Sequence, residues 1–168
     1  MIDGSNAGWS LDEALLLAIL LPGWLPRMPG SDLTIMVIDD SVAEVGLLRE
    51  SIEEECRGVT FHHIPSVQEA IACIGGMTPQ QLPDVLVVDY RMPRSSGVEV
   101  LRELAKHRQW STVPCIVMTG SADPAMREEC RSAGATEIVV KPSDFSGYLK
   151  FARELTARMR ASKPEPGP

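Results

Sequence analysis

Five short apolar runs, each followed by a helix-start signal, constrain this chain more than any other feature. They are Leu33–Ile38, Val59–Ile64, Val85–Val88, Val113–Met118 and Thr136–Val140. Runs of this length rich in Val and Ile, with little polar alternation, are the pattern of strands covered on both faces. Between them stand Ser41 with Glu44, Ser66 with Glu69 and Ser96 with Glu99. Each is a capping box, in which the hydroxyl accepts from the backbone three residues on and the carboxylate reaches back. Asp123-Pro124 is an N-cap followed by proline at the first helical position, and Gly134 closes that helix. The last helix runs from Ser143 to about Arg160. Strand and helix thus alternate five times. Short parallel strands need helical crossovers, so the pattern predicts a doubly wound (βα)5 fold of the α/β class.

In such sheets ligands bind at the carboxyl ends of the strands. Four of the five runs end there in a polar residue: Asp39 and Asp40, Asp89, Thr119, and Lys141. Any one of these taken alone reads equally well as a helix N-cap or a surface residue. The ordered set is different, because folding brings all of them to one rim. Three carboxylates crowded together repel each other, and a hard divalent cation with oxygen ligands offsets that repulsion. Mg2+ suits a site that keeps waters for a phosphate to replace. Lys141 adds a point positive charge and Thr119 a hydroxyl, a set able to stabilise a phosphoryl group on a carboxylate.

Composition narrows the class. The chain has 168 residues, 44% hydrophobic and 23% charged, and a formal net charge of −7. One globular domain fits that length. An acidic surface repels phosphodiester backbones, so nucleic acid is not expected as a partner. Cys56, Cys73, Cys115 and Cys130 lie among apolar neighbours with no CxxC spacing, which points to reduced, packed thiols and a cytoplasmic setting. Upstream, Ser10 with Glu13 caps the apolar run Ala14–Leu21, closed by Pro22. A helix of about 11 residues spans roughly 16 Å, short of the roughly 20 residues a membrane span needs. No basic segment precedes it, so a signal peptide is not expected either. The organisation read from this is an extension over residues 1–31 with a proline-rich linker, a domain over 32–161 and a disordered tail over 162–168; alternatively the native chain starts at Met28.

From about Asp32 to Arg160 the chain resembles the receiver domain of two-component response regulators, on the motifs VIDDS, DVLVVDYRMPRSSG, IVMTGS and GATEIVVKP. The resemblance implies a flavodoxin-like five-stranded parallel sheet of order 2-1-3-4-5. It implies that Asp89 accepts a phosphoryl group from a sensor histidine kinase or histidine phosphotransfer protein. It further implies that Asp39, Asp40, Asp89 and the backbone carbonyl of Arg91 hold Mg2+, that Thr119 is the switch hydroxyl, and that Lys141 contacts the phosphoryl oxygens. In the family the Lys141–Pro142 peptide is usually cis, and a Tyr, Phe or His stands three residues before the lysine. Here that position is Ile138, which puts the usual Thr/aromatic relay in doubt. The last helix is similar to those of single-domain regulators associated with phytochromes.

Two other functions compete with phosphoryl-accepting signalling. A Mg-dependent phosphatase of the haloacid dehalogenase type needs an Asp two residues after its nucleophile, but Asp39 is followed by Asp40-Ser41 and Asp89 by Tyr90-Arg91. A receiver fold used for phosphorylation-independent docking is the other. No GxxxxGK[ST] loop supports a nucleotide hydrolase. His62 and His63 are read as structural, one on each face of their strand. In the last helix, Tyr148, Ala152, Leu155 and Met159 form the stripe expected on the sheet. Phe151 falls off that stripe, and as an exposed aromatic it suggests a homodimer through the fourth and fifth helices, favoured by phosphorylation.

Overall fold

Alternating side chains on each strand build the architecture. The computed structural model describes residues 33–162; the expected N-terminal helix and linker and residues 163–168 lie outside the described residues. Strand β1 is Leu33–Ile38, followed by helix α1 (Val42–Glu55), β2 (Val59–Ile64) and α2 (Val67–Gly76). Then come β3 (Val85–Asp89), α3 (Gly97–Leu104), β4 (Cys115–Thr119), α4 (Pro124–Ser132), β5 (Glu137–Val140) and α5 (Phe145–Ala161). The sheet order is β2-β1-β3-β4-β5, all parallel, as expected.

Because side chains along a strand point to opposite faces in turn, β1 sends Leu33, Ile35 and Val37 to one face and Met36 and Ile38 to the other. β3 divides likewise, Val85 and Val87 against Leu86 and Val88. The first set packs with Leu48, Ile52 and Leu155 of α1 and α5, and the second with Ile74, Leu101 and Cys130 of α2, α3 and α4. Both faces of β1 and β3 are therefore dry, and their Asp-bearing ends emerge from the centre of the sheet.

The helix starts behave as the capping signals require. The hydroxyls of Ser41 and Ser66 accept from the N–H groups of Glu44 and Glu69, and Ser96 and Glu99 form a full capping box. Trp110, buried in a 3-10 turn, donates its indole N–H to the carbonyl of Ile74 at 3.3 Å, tying the β4 approach to α2. All four cysteines are buried and free. Burial pushes the Cys115 thiol up to about 12, so it stays a small hydrophobe at neutral pH.

Two expectations fail. Phe151 is not exposed: only 7% of its surface remains accessible, and it packs with Leu48, Ile116 and Leu155. α5 buries Tyr148, Phe151, Ala152, Leu155 and Thr156, spaced i, i+3, i+4, i+7 and i+8. That is the broad stripe of a helix seated on a sheet and a neighbouring helix rather than a narrow seam. The dimer expected through α4 and α5 thus loses the residue on which it was built. The Lys141–Pro142 peptide is trans, as is every peptide bond among the described residues.

Candidate functional site

The site begins with the end of β1. Asp39 follows the last apolar residue, its N–H bonded to the carbonyl of Ile64 across the β1–β2 seam at 3.2 Å. Its own carbonyl accepts from His63 Nε2 at 2.7 Å, since a carbonyl can only accept. Oδ1 of Asp39 accepts from the Ser41 N–H at 2.8 Å, so the turn into α1 is closed over the carboxylate. Asp40, the next residue, is exposed. At the end of β3, Asp89 is 5% exposed. Its carboxylate accepts from the backbone N–H of Arg91.

The turn after Asp89 is built around one glycine. Gly97 N–H donates to the Tyr90 carbonyl at 3.0 Å. A Cβ on Gly97 would lie 2.4 Å from the Asp89 carbonyl oxygen and 2.8 Å from Val88 Cγ1. Only glycine lets α3 start this close to the acceptor strand. Between them Arg91–Met92 and Ser95–Ser96 pair as a small antiparallel hairpin, its corner formed by Arg94 at φ 64°.

Lys141, the residue after β5, closes the rim. Its N–H is bonded to the Thr119 carbonyl at 2.7 Å. Its ammonium lies 3.1 Å from Asp39 Oδ2, 3.0 Å from Asp89 Oδ1 and against Glu44 Oε2. Burial disfavours the charged lysine, but hydrogen bonds to Glu44 and Asp89 and the charges of Asp39 and Asp89 outweigh it, so its pKa is raised. Burial pushes the carboxyls of Asp39 and Asp89 up, against the opposing pull of hydrogen bonds and of Lys141. One carboxylate oxygen from each of Asp39, Asp40 and Asp89 lies within 4.8 Å of the other two. Lys141 and Arg91 against these three carboxylates and Glu44 still leave a net negative cleft. An all-oxygen, anionic donor set fits a hard divalent cation.

An open cleft of about 320 Å3 lies over these groups, lined by Asp40, Glu44, Asp89, Arg91, Ser121 and Lys141 among others. All six expected residues therefore sit at the carboxyl rim, but Thr119 differs in detail. It is buried, and its Oγ1 accepts from the Ser121 N–H at 3.2 Å, while Gly120 and Ser121 form the cleft wall. Ile138 packs, partly buried, against the α2–α4 side of the core, as Tyr90 does. The tyrosine hydroxyl donates to Glu129 Oε2 of α4 at 3.3 Å. Two site residues escaped the sequence reading. Glu44 was legible only as half of a capping box. His63 was legible only as a strand residue, because nothing local tells that its ring reaches the Asp39 carbonyl.

Residues 35–152 match the model of the response regulator receiver domain. The chain belongs to the response regulator receiver family. A transcriptional regulator of the phosphate regulon, PhoB of Rhizobium meliloti, is 33% identical over 131 residues, 78% of this chain and 54% of that protein. The chain spans between about a third and a half of the length of the first curated relatives it matches, 37% and 54%. Among solved receivers, the phosphorylated cyanobacterial phytochrome response regulator RcpA superposes with a TM-score of 0.70 at 17% identity, over 80% of this chain and 99% of that one. The Mn2+-bound form of the response regulator Rcp1 gives 0.67 at 17% identity, with the same coverage. These likenesses establish the flavodoxin-like receiver fold. Among the described residues, no helix is long and apolar enough to cross a membrane.

Proposed function

We propose that this receiver accepts a phosphoryl group on Asp89 from the phosphohistidine of a sensor histidine kinase or phosphotransfer protein, in a cytoplasmic setting. The observation that carries the reading is the pairing of a buried strand-end carboxylate, Asp89, with the Lys141 ammonium at 3.0 Å beside the Asp39–Asp40 pair. An Oδ atom of Asp89 attacks phosphorus. The O–P bond forms as the N–P bond breaks, and the electron pair returns to the imidazole nitrogen of the donor. A divalent cation, Mg2+ in this reading, supplies the positive charge that lets an anionic phosphoryl group enter a cleft of carboxylates. Asp39, Asp40, Asp89 and the carbonyl of Arg91 would hold it. Lys141 then meets the phosphoryl oxygens as a point charge. The likeness to a phosphorylated RcpA and a Mn2+-bound Rcp1 supports both parts.

The Thr119 hydroxyl is the switch group in this reading: its oxygen accepts from the Ser121 N–H, and its own proton is left to donate to a phosphoryl oxygen. With Ile138 in place of an aromatic, the signal passes through the loop 120–123 into α4, whose N-cap is Asp123. In this reading the receiver domain itself turns over no external substrate beyond its own phosphorylation and dephosphorylation. Incubation with acetyl phosphate and Mg2+, followed by intact mass spectrometry, tests this. One adduct per chain is expected. Steady release of phosphate from p-nitrophenyl phosphate without an adduct would instead support the phosphatase reading.

A further inference from the structure

Lys141 carries one ammonium and serves three carboxylates. Asp39 and Asp89 are side chains the phosphoryl chemistry uses, with 9% and 6% of their side-chain surfaces exposed. Glu44 is different. It stands in the first turn of α1, its backbone N–H held by Ser41 Oγ and its side chain 39% exposed. It lines the open cleft on one side. On the other it lines a small void between α1, α5 and the sheet, with Val37, Leu48, Met118 and Tyr148. No step of phosphoryl transfer to Asp89 needs it.

Once a phosphoryl group is on Asp89, the oxygen carrying it is no longer a free anionic partner for the lysine. Asp39 would then help to hold the cation. Glu44 is the one carboxylate of the three that still competes with the phosphoryl oxygens for Lys141. We propose that Glu44 is a positioning residue that holds the Lys141 ammonium back from the phosphoryl group, a built-in brake on phosphorylation. This rests on the reading of Asp89 as the phosphoacceptor. The brake acts through the lysine, so it affects the limiting rate rather than capture of the donor.

The test compares the full chain as wild type, Glu44→Gln and Glu50→Gln, phosphorylated with acetyl phosphate at saturating Mg2+ over a series of donor concentrations. Glu50 is exposed on the same helix, so its replacement removes the same charge away from the lysine. Glutamine keeps the length of Glu44 and leaves the Ser41 cap intact. The expected result is a limiting rate about two- to fivefold higher for Glu44→Gln, the range set by loss of a partly exposed ion pair, with Glu50→Gln at the wild-type rate. A Glu44→Gln rate equal to or below wild type would overturn the proposal, by showing that Glu44 is neutral or helps to place the lysine. An equal gain in Glu50→Gln, or a gain confined to half-saturation by the donor, would also overturn it, because net charge would then be the cause. If the wild type itself gains no adduct, the phosphoacceptor reading fails first.

Discussion

Removing Lys141 tests the electrostatic design of the rim. Lys141→Met keeps the length of the stem and deletes the charge. It leaves Asp39 and Asp89, with only 9% and 6% of their side-chain surfaces exposed, facing each other without the ammonium that lies 3.1 and 3.0 Å from them. Deleting one partner of a fully buried pair costs about 3–5 kcal/mol. This cleft is open at one side, so water and counterions screen part of that, and roughly 2–4 kcal/mol is expected. For a domain of this size the melting temperature should fall by roughly 5–15 °C. The assay is thermal unfolding by circular dichroism at neutral pH, in EDTA and in excess Mg2+. The cation replaces the missing positive charge, so the loss should shrink in Mg2+. The pH dependence has a definite sign. Burial raises the pKa of Asp39 and Asp89 in the fold, so the folded state holds more protons than the unfolded one between their ordinary and raised values. Acidification through that window therefore favours the fold, and the gap between wild type and Lys141→Met should narrow as pH falls. A melting temperature within about 2 °C of wild type in EDTA, or a loss that Mg2+ leaves unchanged, would refute the reasoning.

Other substitutions separate packing from chemistry. Gly97→Ala should impair phosphorylation of Asp89 and destabilise the fold by about 2–3 kcal/mol, because its Cβ would fall 2.4 Å from the Asp89 carbonyl oxygen; wild-type phosphorylation kinetics would contradict this. Phe151→Ala should cost about 3–5 kcal/mol in urea unfolding, as a buried aromatic and not a surface contact; a change below about 1 kcal/mol would contradict the burial. His62 is buried and held neutral, its pKa lowered to about 4 by desolvation and by the charge of Arg49. Its contribution is present above the unfolded value near 6.5 and is lost as pH falls through 4, so His62→Gln should flatten the stability profile over that window, read by urea titrations at stepped pH.

The sheet was legible because its rule is local. Short apolar runs, four of the five ending in Asp, Thr or Lys and each followed by a Ser or Asp cap, mark both the strands and the rim where they end. The site followed from the same rule, since the parallel order brings Asp39, Asp89 and Lys141 to one edge without any further information. What the sequence hid was tertiary. Phe151 was misplaced because the stripe through Tyr148, Ala152, Leu155 and Met159 was drawn too narrow: Phe151 stands three residues after Tyr148 and four before Leu155 on one edge of the buried face, and Thr156, its hydroxyl bonded back to the Ala152 carbonyl at 2.8 Å, stands on the other. Glu44 had one visible role, the cap of α1, and its second depends on Lys141, 97 residues away. His63 likewise meets Asp39 only through the pairing of β1 with β2. The hairpin at Arg94 was not foreseen, because two-residue strands carry no periodicity.

Asp89 is the carboxylate proposed to take the phosphoryl group, with the acidic pair and Lys141 as its support. The most direct measurement is the site and stoichiometry of the adduct formed with acetyl phosphate and Mg2+, by intact mass and by borohydride trapping with peptide mapping, in wild type and Asp89→Asn. The amide keeps the shape of the side chain but is a far weaker nucleophile. One phosphoryl group per wild-type chain is expected, mapped to Asp89, with none in Asp89→Asn and none in wild type when EDTA removes the cation. A full adduct on Asp89→Asn, or a wild-type adduct mapped to Asp39, Asp40 or any other residue, would contradict it.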